Sequence, residues 1–388
     1  MGTWRLEDLP ADRKPVGCQW VYDRKRNEHG EVIKYKARLV AQGFSQKPGT
    51  DYNNDGTFAP VMRFETLRTL LAFSAVHNLK LRQFDVKSAY LHGRPNLLLG
   101  IKISQGNHIV TLSQTHYIDA LLEKFGLADA NPVFTPMDVK VKLDNVMEEQ
   151  DNEGQGEKND KVTHRYAALI GSLMYLAIGT RPDIAFAVNK LEQFMQNPRP
   201  IHWTAVKRVF RYLKYTRTNK LTYGGDDDLL NTDFNIFCDA NWASDASDRK
   251  SISGYVITMA GGAVSWSSKK QTSVALSTAE AEYVAATHVA KQVLWQRSLF
   301  TELDFDIPTT STIFTDNQAA ISISHHPEFH SRTKHINIAY HFLRDLIAEG
   351  ILNTIYVNMR ENLADLFTKG LPRELHEDMT YRIGSLSG

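Results

Sequence analysis

The stretch from Asn235 to Tyr255, NIFCDANWASDASDRKSISGY, constrains the fold of this chain more than any other. It predicts a short apolar strand that ends in Asp239, then a polar turn, and a second strand that begins near Ser253. An acid at the end of a strand is held by rigid backbone and still reaches solvent, which suits a metal ligand or a general base. Because Asp is also a common turn residue, Asp239 alone is weak evidence for such a site. The evidence becomes stronger only if other acids in the chain belong to the same site.

Three later acids also stand at the boundary of a predicted element. Glu280 lies near the start of a helix from Leu276 to Leu303, at the third position of a capping box. Asp316 follows a β-branched strand from Ser311 to Thr315, and Asp365 lies on a short terminal helix after a further strand. Two divalent metals about 4 Å apart need carboxylates that converge from several elements, because no single strand or helix presents them all.

Glu280 and Glu282 compete for the helical position in this set. Two residues on a helix are about 200° apart around its axis, so only one of them can face the other acids. Glu280 is nearer the N-terminus, where the helix dipole favours a carboxylate, and we therefore prefer it. The alternative is that Glu280 is only a capping-box acid.

Five blocks carry a family resemblance: CDANWASDASDRKSISGY, AVSWSSKKQTSVALSTAEAEYVA, FTDNQAAI, RTKHINIAYHFLRD and ENLADLFTKGL. In this order they resemble the signatures of the ribonuclease H domain of copia-type retrotransposon Pol polyproteins. The predicted order of elements, strand–strand–strand–helix–strand–helix–helix–strand–helix, is also the ribonuclease H layout. The resemblance implies two Mg²⁺ or Mn²⁺ ions and cleavage of the RNA strand of RNA–DNA hybrids. The implied metal ligands and catalytic residues are Asp239, Glu280, Asp316 and Asp365. Phosphate contacts are implied for Arg332, Lys334 and His335.

The first 96 residues resemble the reverse transcriptase of the same family. WVYDRKRNEHGEVIKYKARLVAQGFSQKPGTDY corresponds to its fingers and FDVKSAYLHG to its first catalytic motif, with Asp85 as a remnant metal ligand and Tyr90 near the incoming sugar. The pattern breaks after Arg94, since a Tyr-x-Asp-Asp hairpin occurs nowhere in the sequence. The next segment resembles the one beyond that hairpin. One carboxylate cannot hold two metals, so we expect an internally deleted chain without polymerase activity.

Two basic strips are candidates for contact with a nucleic-acid backbone. The first alternates along a predicted strand, at Lys34, Lys36 and Arg38. The second lies on one face of a predicted helix, at Lys207, Arg208, Arg211 and Lys214. Either strip can instead be the solvated face of an ordinary element.

The expected fold class is α/β (α+β), with a truncated reverse-transcriptase fingers and palm and a ribonuclease H-like domain. That domain is expected to hold a mixed five-stranded sheet flanked by helices. The expected boundaries are 1–96 for the partial reverse transcriptase, 97–143 for a palm remnant, 144–162 for an acidic linker, 163–225 for a helical thumb or connection, and 230–388 for the ribonuclease H-like domain.

The amino-acid composition limits the classes of protein to which this chain can belong. A net charge of +1 over 388 residues means that any basic surface is local. Cys18 and Cys238 form no disulfide framework or zinc motif. Because the sequence has no signal-peptide pattern and no run of 18 apolar residues, we expect an intracellular protein, in a cytoplasmic particle or the nucleus, without a membrane partner. The alternatives to an enzyme are a non-catalytic nucleic-acid-binding protein and an inert transposon relic.

Overall fold

The computed structural model describes residues 17–26, 31–42, 62–82, 97–141, 143, 156–244, 248–305, 308–325 and 337–386. The chain divides into two compact units, Met1–Met62 and Arg63–Gly388. In the first unit, strands β1 (Cys18–Arg26) and β2 (Val32–Ala41) pair antiparallel. The sequence predicts strands at Cys18–Tyr22 and Tyr35–Ala41, joined by a charged turn, and the two observed strands are consistent with this.

The second unit contains strands and helices throughout. Its strands are β3 (Leu97–Leu98), β4 (Ile101–Gly106), β5 (Ile109–Ser113), β6 (Lys220–Gly224), β7 (Asn235–Asn241), β8 (Ile252–Met259), β9 (Gly262–Lys270), β10 (Ser311–Thr315), β11 (Leu352–Tyr356) and β12 (Ser385–Leu386). Its α-helices are α1 (Phe64–Val76), α2 (Thr115–Lys124), α3 (Gly156–Gly179), α4 (Ala185–Glu192), α5 (Pro200–Tyr215), α6 (Thr278–Glu302), α7 (Gln318–His325), α8 (Asn337–Ala348) and α9 (Arg373–Arg382). Short 3₁₀ helices cover Pro182–Ile184, Asp227–Leu229, Met359–Glu361 and Leu363–Phe367. Among the described residues, no helix has both the length and the apolarity needed to cross a membrane.

A mixed five-stranded sheet in the order β11-β10-β7-β8-β9 forms the C-terminal part of this unit. Strand β7 lies at its centre, parallel to β10 and antiparallel to β8. The sequence of β8, ISGYVITM, is rich in β-branched residues that favour strands. All of its residues are buried, so both faces of the sheet are covered there. The order of elements and the mixed sheet confirm the expected α/β fold class.

A second sheet, in the order β12-β6-β5-β4-β3, is antiparallel throughout. It joins the mixed sheet backbone to backbone. Within the second sheet, the amide of Thr222 on β6 donates to the carbonyl of Gly384 at 2.9 Å. The adjacent carbonyl of Ile383 accepts from the amide of Ala263 on β9, in the mixed sheet, at the same distance. Gly384 has a φ of +82°, and a Cβ there would lie 2.7 Å from the Cα of Gly262. Only glycine fits this left-handed position in so narrow a space.

Arg68 connects helix α1 to strand β9 and to the end of helix α3, and its side chain is 1% exposed. Its Nε donates to the carbonyl of Val264 on β9 at 2.8 Å, and its Nη1 donates to the carbonyl of Ile178 near the end of α3 at 2.6 Å. The guanidinium also lies 3.8 Å from the ring centroid of Trp266. The guanidinium is stabilised by the helix dipole at the C-terminal end of α3 and by a cation–π interaction with Trp266.

Two hydrophobic cores stabilise the second unit. The first is continuous from α1 and the second sheet into the mixed sheet, and includes Leu71, Ile101, Tyr223 and Val256. The second lies among α2, α3, α4 and α5. Beside it, the buried guanidinium of Arg181 pairs with Asp183 at 2.7 Å.

Two sequence expectations differ from the structure in their extent. Helix α3 begins at Gly156, inside the expected acidic linker of 144–162. The segment that follows, EKNDK, contains good helix formers with Glu and Lys four residues apart, which favours a helix. A strand was expected from Leu79 to Val86. Residues 79–82 are not in a strand, and residues 83–86 lie outside the described residues.

Candidate active site

Asp239 and Asp316 meet because they lie on two parallel neighbouring strands. Asp239 is on the central strand β7, and Asp316 follows directly after β10. The pairing of Phe314 with Phe237 sets a register that brings the two acids level with each other. Asp239 is almost fully buried and Asp316 is half-buried. The sheet itself therefore places these two carboxylates together, at the edge where parallel strands end.

Helix α6 adds Glu282 to this edge. One carboxylate oxygen each of Asp239, Glu282 and Asp316 lie within 4.8 Å of one another. We call these three residues the acid cluster. They come from a strand, a helix and a strand end, which is the convergence that a metal site requires.

Glu280 does not face the acid cluster. Its amide donates to the hydroxyl of Ser277 at 3.2 Å, and its Oε2 accepts a hydrogen bond from the amide of Leu276 at 2.8 Å. The first contact is the N-cap bond of a capping box, and the second reaches the residue before the N-cap, Leu276, in place of Ser277 itself. The structure thus differs from the sequence expectation, because Glu280 caps α6 and the turn of about 200° between the two glutamates directs Glu282 to the cluster.

The fourth expected acid, Asp365, lies beside the acid cluster on the 3₁₀ helix Leu363–Phe367 and is 2% exposed. Asn362 fixes this helix in two ways. Its Oδ1 accepts a hydrogen bond from the amide of Ala364 at 3.2 Å, and its Nδ2 donates to the carbonyl of Cys238 on β7 at 3.0 Å. Asn362 therefore connects the residue before Asp239 to the element that carries Asp365.

Two residues that follow Asp365 contact the acids directly. The hydroxyl of Thr368 donates a hydrogen bond to Oδ2 of Asp239. The Nζ of Lys369 lies 2.8 Å from Oδ1 of Asp365 and 4.0 Å from Oδ2 of Asp239. Sequence reasoning assigned no role to Asn362, Thr368 or Lys369. Only Asn362 carries a local signal, since Asn is a favoured cap before a helix.

Burial and mutual repulsion raise the pKa values of the acids. Burial, followed by the charges of Asp239 and Asp316, raises the pKa of Glu282 to about 10. Burial and then Asp239 raise the pKa of Asp316, and they raise the pKa of Asp365 to about 7 although Lys369 lowers both. Burial acts to lower the pKa of Lys369, but the charges of Asp239 and Asp365 outweigh it and the net shift is upward. The site therefore favours uptake of protons or of a cation.

The donor set fits a hard divalent cation. Carboxylate oxygens are the ligands that Mg²⁺ and Mn²⁺ prefer. Within the described parts of the chain, Oε2 of Glu282 is buried without a hydrogen-bond partner. Such an atom is costly unless something else satisfies it, and a cation would do so. The acid cluster and Asp365 are therefore the candidate metal ligands.

The remaining expected site residues lie elsewhere. Asp85, Tyr90, Arg332, Lys334 and His335 lie outside the described residues. Lys34, Lys36 and Arg38 occupy alternate positions of β2.

The basic face of α5 is partly engaged within the molecule. Arg208 donates from Nη2 to the hydroxyl of Thr135 at 2.9 Å, and Arg211 donates from Nε to the carbonyl of Asn131 at 2.5 Å. Two of the four expected phosphate contacts thus hold the loop of residues 131–138. Lys207 is exposed and Lys214 is half-buried.

Comparison with known proteins covers nearly the whole chain. A family model described as reverse transcriptase (RNA-dependent DNA polymerase) matches residues 1–98. The retrovirus-related Pol polyprotein from transposon TNT 1-94 of Nicotiana tabacum is 32% identical over 487 positions, which include 97% of this chain and 36% of the relative. The retrovirus-related Pol polyprotein from transposon RE1 of Arabidopsis thaliana is 30% identical over 491 positions, which include 98% of this chain and 32% of the relative.

Among solved structures, the N-terminal RNase H domain of rv2228c from Mycobacterium tuberculosis, a fusion with maltose binding protein, aligns at 12% identity. The superposition covers 39% of this chain and 98% of that chain, with a TM-score of 0.26. This score is too low to support the fold, which rests on the strand order described above.

The first alignment also shows that part of the relative has no counterpart in this chain. The first spans 487 positions, whereas 97% of 388 residues is about 376, so about 110 positions of the relative have no counterpart here. The chain spans about a third of the length of these relatives. With two such relatives matched across almost every residue, the chain belongs to the retrovirus-related Pol polyproteins of copia-type transposons.

Proposed function

We propose that residues 63–388 form a ribonuclease that hydrolyses the RNA strand of RNA–DNA hybrids with two divalent metal ions. The observation that carries this proposal is the convergence of Asp239, Glu282 and Asp316 within 4.8 Å, with Asp365 beside them. Carboxylates from separate elements are what a two-metal phosphodiester hydrolysis requires. Hybrid selection rests on contacts to 2′-hydroxyl groups in the wide minor groove, by analogy with the family.

When bound, the two ions would lower the pKa of the attacking water and stabilise the leaving 3′ oxygen. The protein holds the ligands for that chemistry in place. Thr368 orients Asp239 through its hydroxyl, and Asn362 fixes the 3₁₀ helix that carries Asp365. Lys369 places a positive charge beside Asp365, where a negatively charged phosphate would approach.

We also propose that the chain does not polymerise DNA. Its sequence contains no Tyr-x-Asp-Asp motif, and the gap of about 110 positions against the tobacco relative supports an internal deletion. Asp85 alone cannot hold two metals. Primer extension on an RNA template should therefore give no product under conditions in which a hybrid is cleaved. Extension by the purified chain would contradict this proposal.

The ribonuclease proposal is tested with a labelled RNA presented in an RNA–DNA hybrid, in an RNA duplex and as a single strand. We expect cleavage of the hybrid alone, dependent on Mg²⁺ and abolished by EDTA and by Asp239→Asn. Hybrid binding without cleavage by the folded protein would favour a non-catalytic binding protein. A chain with no cooperative unfolding and no binding would be an inert relic.

A further inference from the structure

A groove of about 490 Å³ opens beside the acid cluster. Lys369 and Asn241 line its end at the active site. Its walls come from parts of the chain that precede the mixed sheet, namely α4 and the segment 137–143, and from the loop that follows β7. The groove is thus built from three sections of sequence, which fall in the expected domains 97–143, 163–225 and 230–388.

The charges in this groove are mainly positive. Of the charged residues described in its lining, Lys190, Arg249 and Lys369 are basic and Asp138 is acidic, and the carboxylate of Asp138 already lies 3.5 Å from Arg208. Arg249 is exposed, and among the described residues no ion pair engages it. Such a lining attracts phosphate groups and repels carboxylates.

Part of the groove lining is apolar and partly exposed. Val139 is 57% exposed, and Met137 and Phe186 lie beside it. A lining that combines cations with apolar side chains suits a nucleic-acid strand, which presents phosphates along one edge and sugars and bases along the other. The volume lies within the range of about 300–1,000 Å³ that is typical of small-ligand sites. A short stretch of one strand would fill such a volume.

The wall is also held in position by the basic helix. Arg208 contacts Thr135, and Arg211 contacts Asn131, so two cations of α5 fix the loop that leads into segment 137–143. These two arginines hold the loop before the groove and are not among its lining residues. Arg208 also contacts a lining residue, Asp138.

We infer that this groove binds the backbone of the nucleic-acid strand next to the cleavage position, with Arg249 as a phosphate contact and segment 137–143 as the facing wall. The inference rests on the proposed ribonuclease function, which it deepens. It assigns substrate affinity partly to residues that lie before the mixed sheet. Binding through phosphates predicts a salt-dependent affinity, since each neutralised phosphate releases counterions.

The test compares Arg249→Glu and Val139→Glu with Lys102→Glu, which reverses an exposed charge on β4, outside the groove. Each change is made in the full chain, and the affinity for a labelled hybrid is measured in the Asp239→Asn background at several salt concentrations. We expect Arg249→Glu and Val139→Glu to weaken binding about tenfold, and Arg249→Ala to reduce the salt slope by about one. In the active background kcat should stay unchanged while KM rises.

Equal affinity of the groove variants and Lys102→Glu would overturn the inference. Cleavage with unaltered KM in Arg249→Glu would overturn it while leaving the ribonuclease proposal intact. If no variant cleaves but binding still depends on Arg249 and Val139, the groove assignment holds and the catalytic proposal fails. Loss of binding in Val139→Glu alone, with Arg249→Glu unaffected, would show a steric effect of the wall and would also contradict phosphate contact by Arg249.

Discussion

At the scale of single residues, Glu282 and Glu280 form a natural pair for comparison, because both are buried on α6 and only one faces the acid cluster. We expect Glu282→Gln to lower hybrid cleavage by roughly two to three orders of magnitude, since loss of a metal ligand removes several kcal/mol of transition-state stabilisation. Glu280→Gln retains an acceptor for the amide of Leu276 and should cleave within about threefold of the parent. Steady-state cleavage assays measure both. The reverse pattern would restore Glu280 as the ligand.

The raised pKa of Glu282 also predicts how stability depends on pH. The folded protein keeps this proton up to about pH 10, whereas the unfolded chain releases it near the ordinary value of 4.5. Between these values the folded state binds more protons, so the free energy of unfolding of the metal-free protein falls as pH rises. The raised pKa values of Asp316 and Asp365 act in the same direction.

Glu282→Gln should therefore raise the free energy of unfolding in EDTA by about 1–2 kcal/mol near pH 8 and change it little near pH 4. Denaturant titrations at both pH values measure the effect. Mg²⁺ should stabilise the parent more than the variant, and the affinity for Mg²⁺ should increase with pH because the metal displaces protons. A variant that is less stable than the parent near pH 8 in EDTA would contradict this account of the site.

From the sequence, Asp239 and Asp316 were predicted to lie together, as the structure places them. The face of helix α6 that turns toward them was not predicted correctly. Asp239, Asp316 and Asp365 each follow a readable change of pattern, and the structure brings all three to one edge. Glu282 could not be chosen over Glu280, because the face that α6 turns inward depends on its packing against β7. The contacts of Thr368 and Lys369 with Asp239 cross more than 120 residues of sequence, and no local pattern reports them.

At the scale of elements, the short helix with Asp365 depends on a glycine in a neighbouring strand. A Cβ on Gly254 of β8 would lie 2.6 Å from Cγ2 of Thr368 and 2.8 Å from Cβ of Phe367. We expect Gly254→Ala to push this helix away from β7, to lower cleavage at least tenfold and to cost about 1–3 kcal/mol of stability. Thermal unfolding and cleavage assays on the same preparation measure both effects.

Gly171 provides the matched control for this change. It lies inside α3, and no heavy atom of the described chain outside its immediate surroundings lies within 4 Å of an added Cβ. Gly171→Ala should therefore stabilise the protein by about 0.5–1 kcal/mol through helix propensity and leave cleavage unchanged. If both alanines behave alike, steric contact at Gly254 does not control the site.

At the scale of the whole molecule, the continuous first core predicts that residues 230–388 do not fold alone. Side chains such as Leu71, Ile101 and Tyr223 pack into the same core as the mixed sheet. We expect a fragment of residues 230–388 to lack cooperative thermal unfolding and a fragment of residues 63–388 to retain it, as measured by circular dichroism. Cooperative unfolding of the shorter fragment would support the boundary near residue 230 that the sequence suggested.

A single substitution in the intact chain tests the same connection. Arg68→Met keeps most of the apolar stem but leaves the carbonyls of Val264 and Ile178 without their donor, and should cost about 3 kcal/mol. This contact spans 196 residues. Each family signature lies within one expected domain. No sequence pattern therefore predicts a contact such as this one, which joins two expected domains.

The backbone junction at Gly384 determines when folding can finish during synthesis. Strand β6 pairs with β12, and the amide of Ala263 at the start of β9 bonds to the carbonyl of Ile383, so β6 and β9 both wait for residues that the ribosome adds more than 100 positions later. Until then the edge of β6 and its buried neighbours are open to other chains. The two sheets can therefore close only after residues 383–386 have been synthesised, and the most aggregation-prone interval of folding is the time before these residues are available.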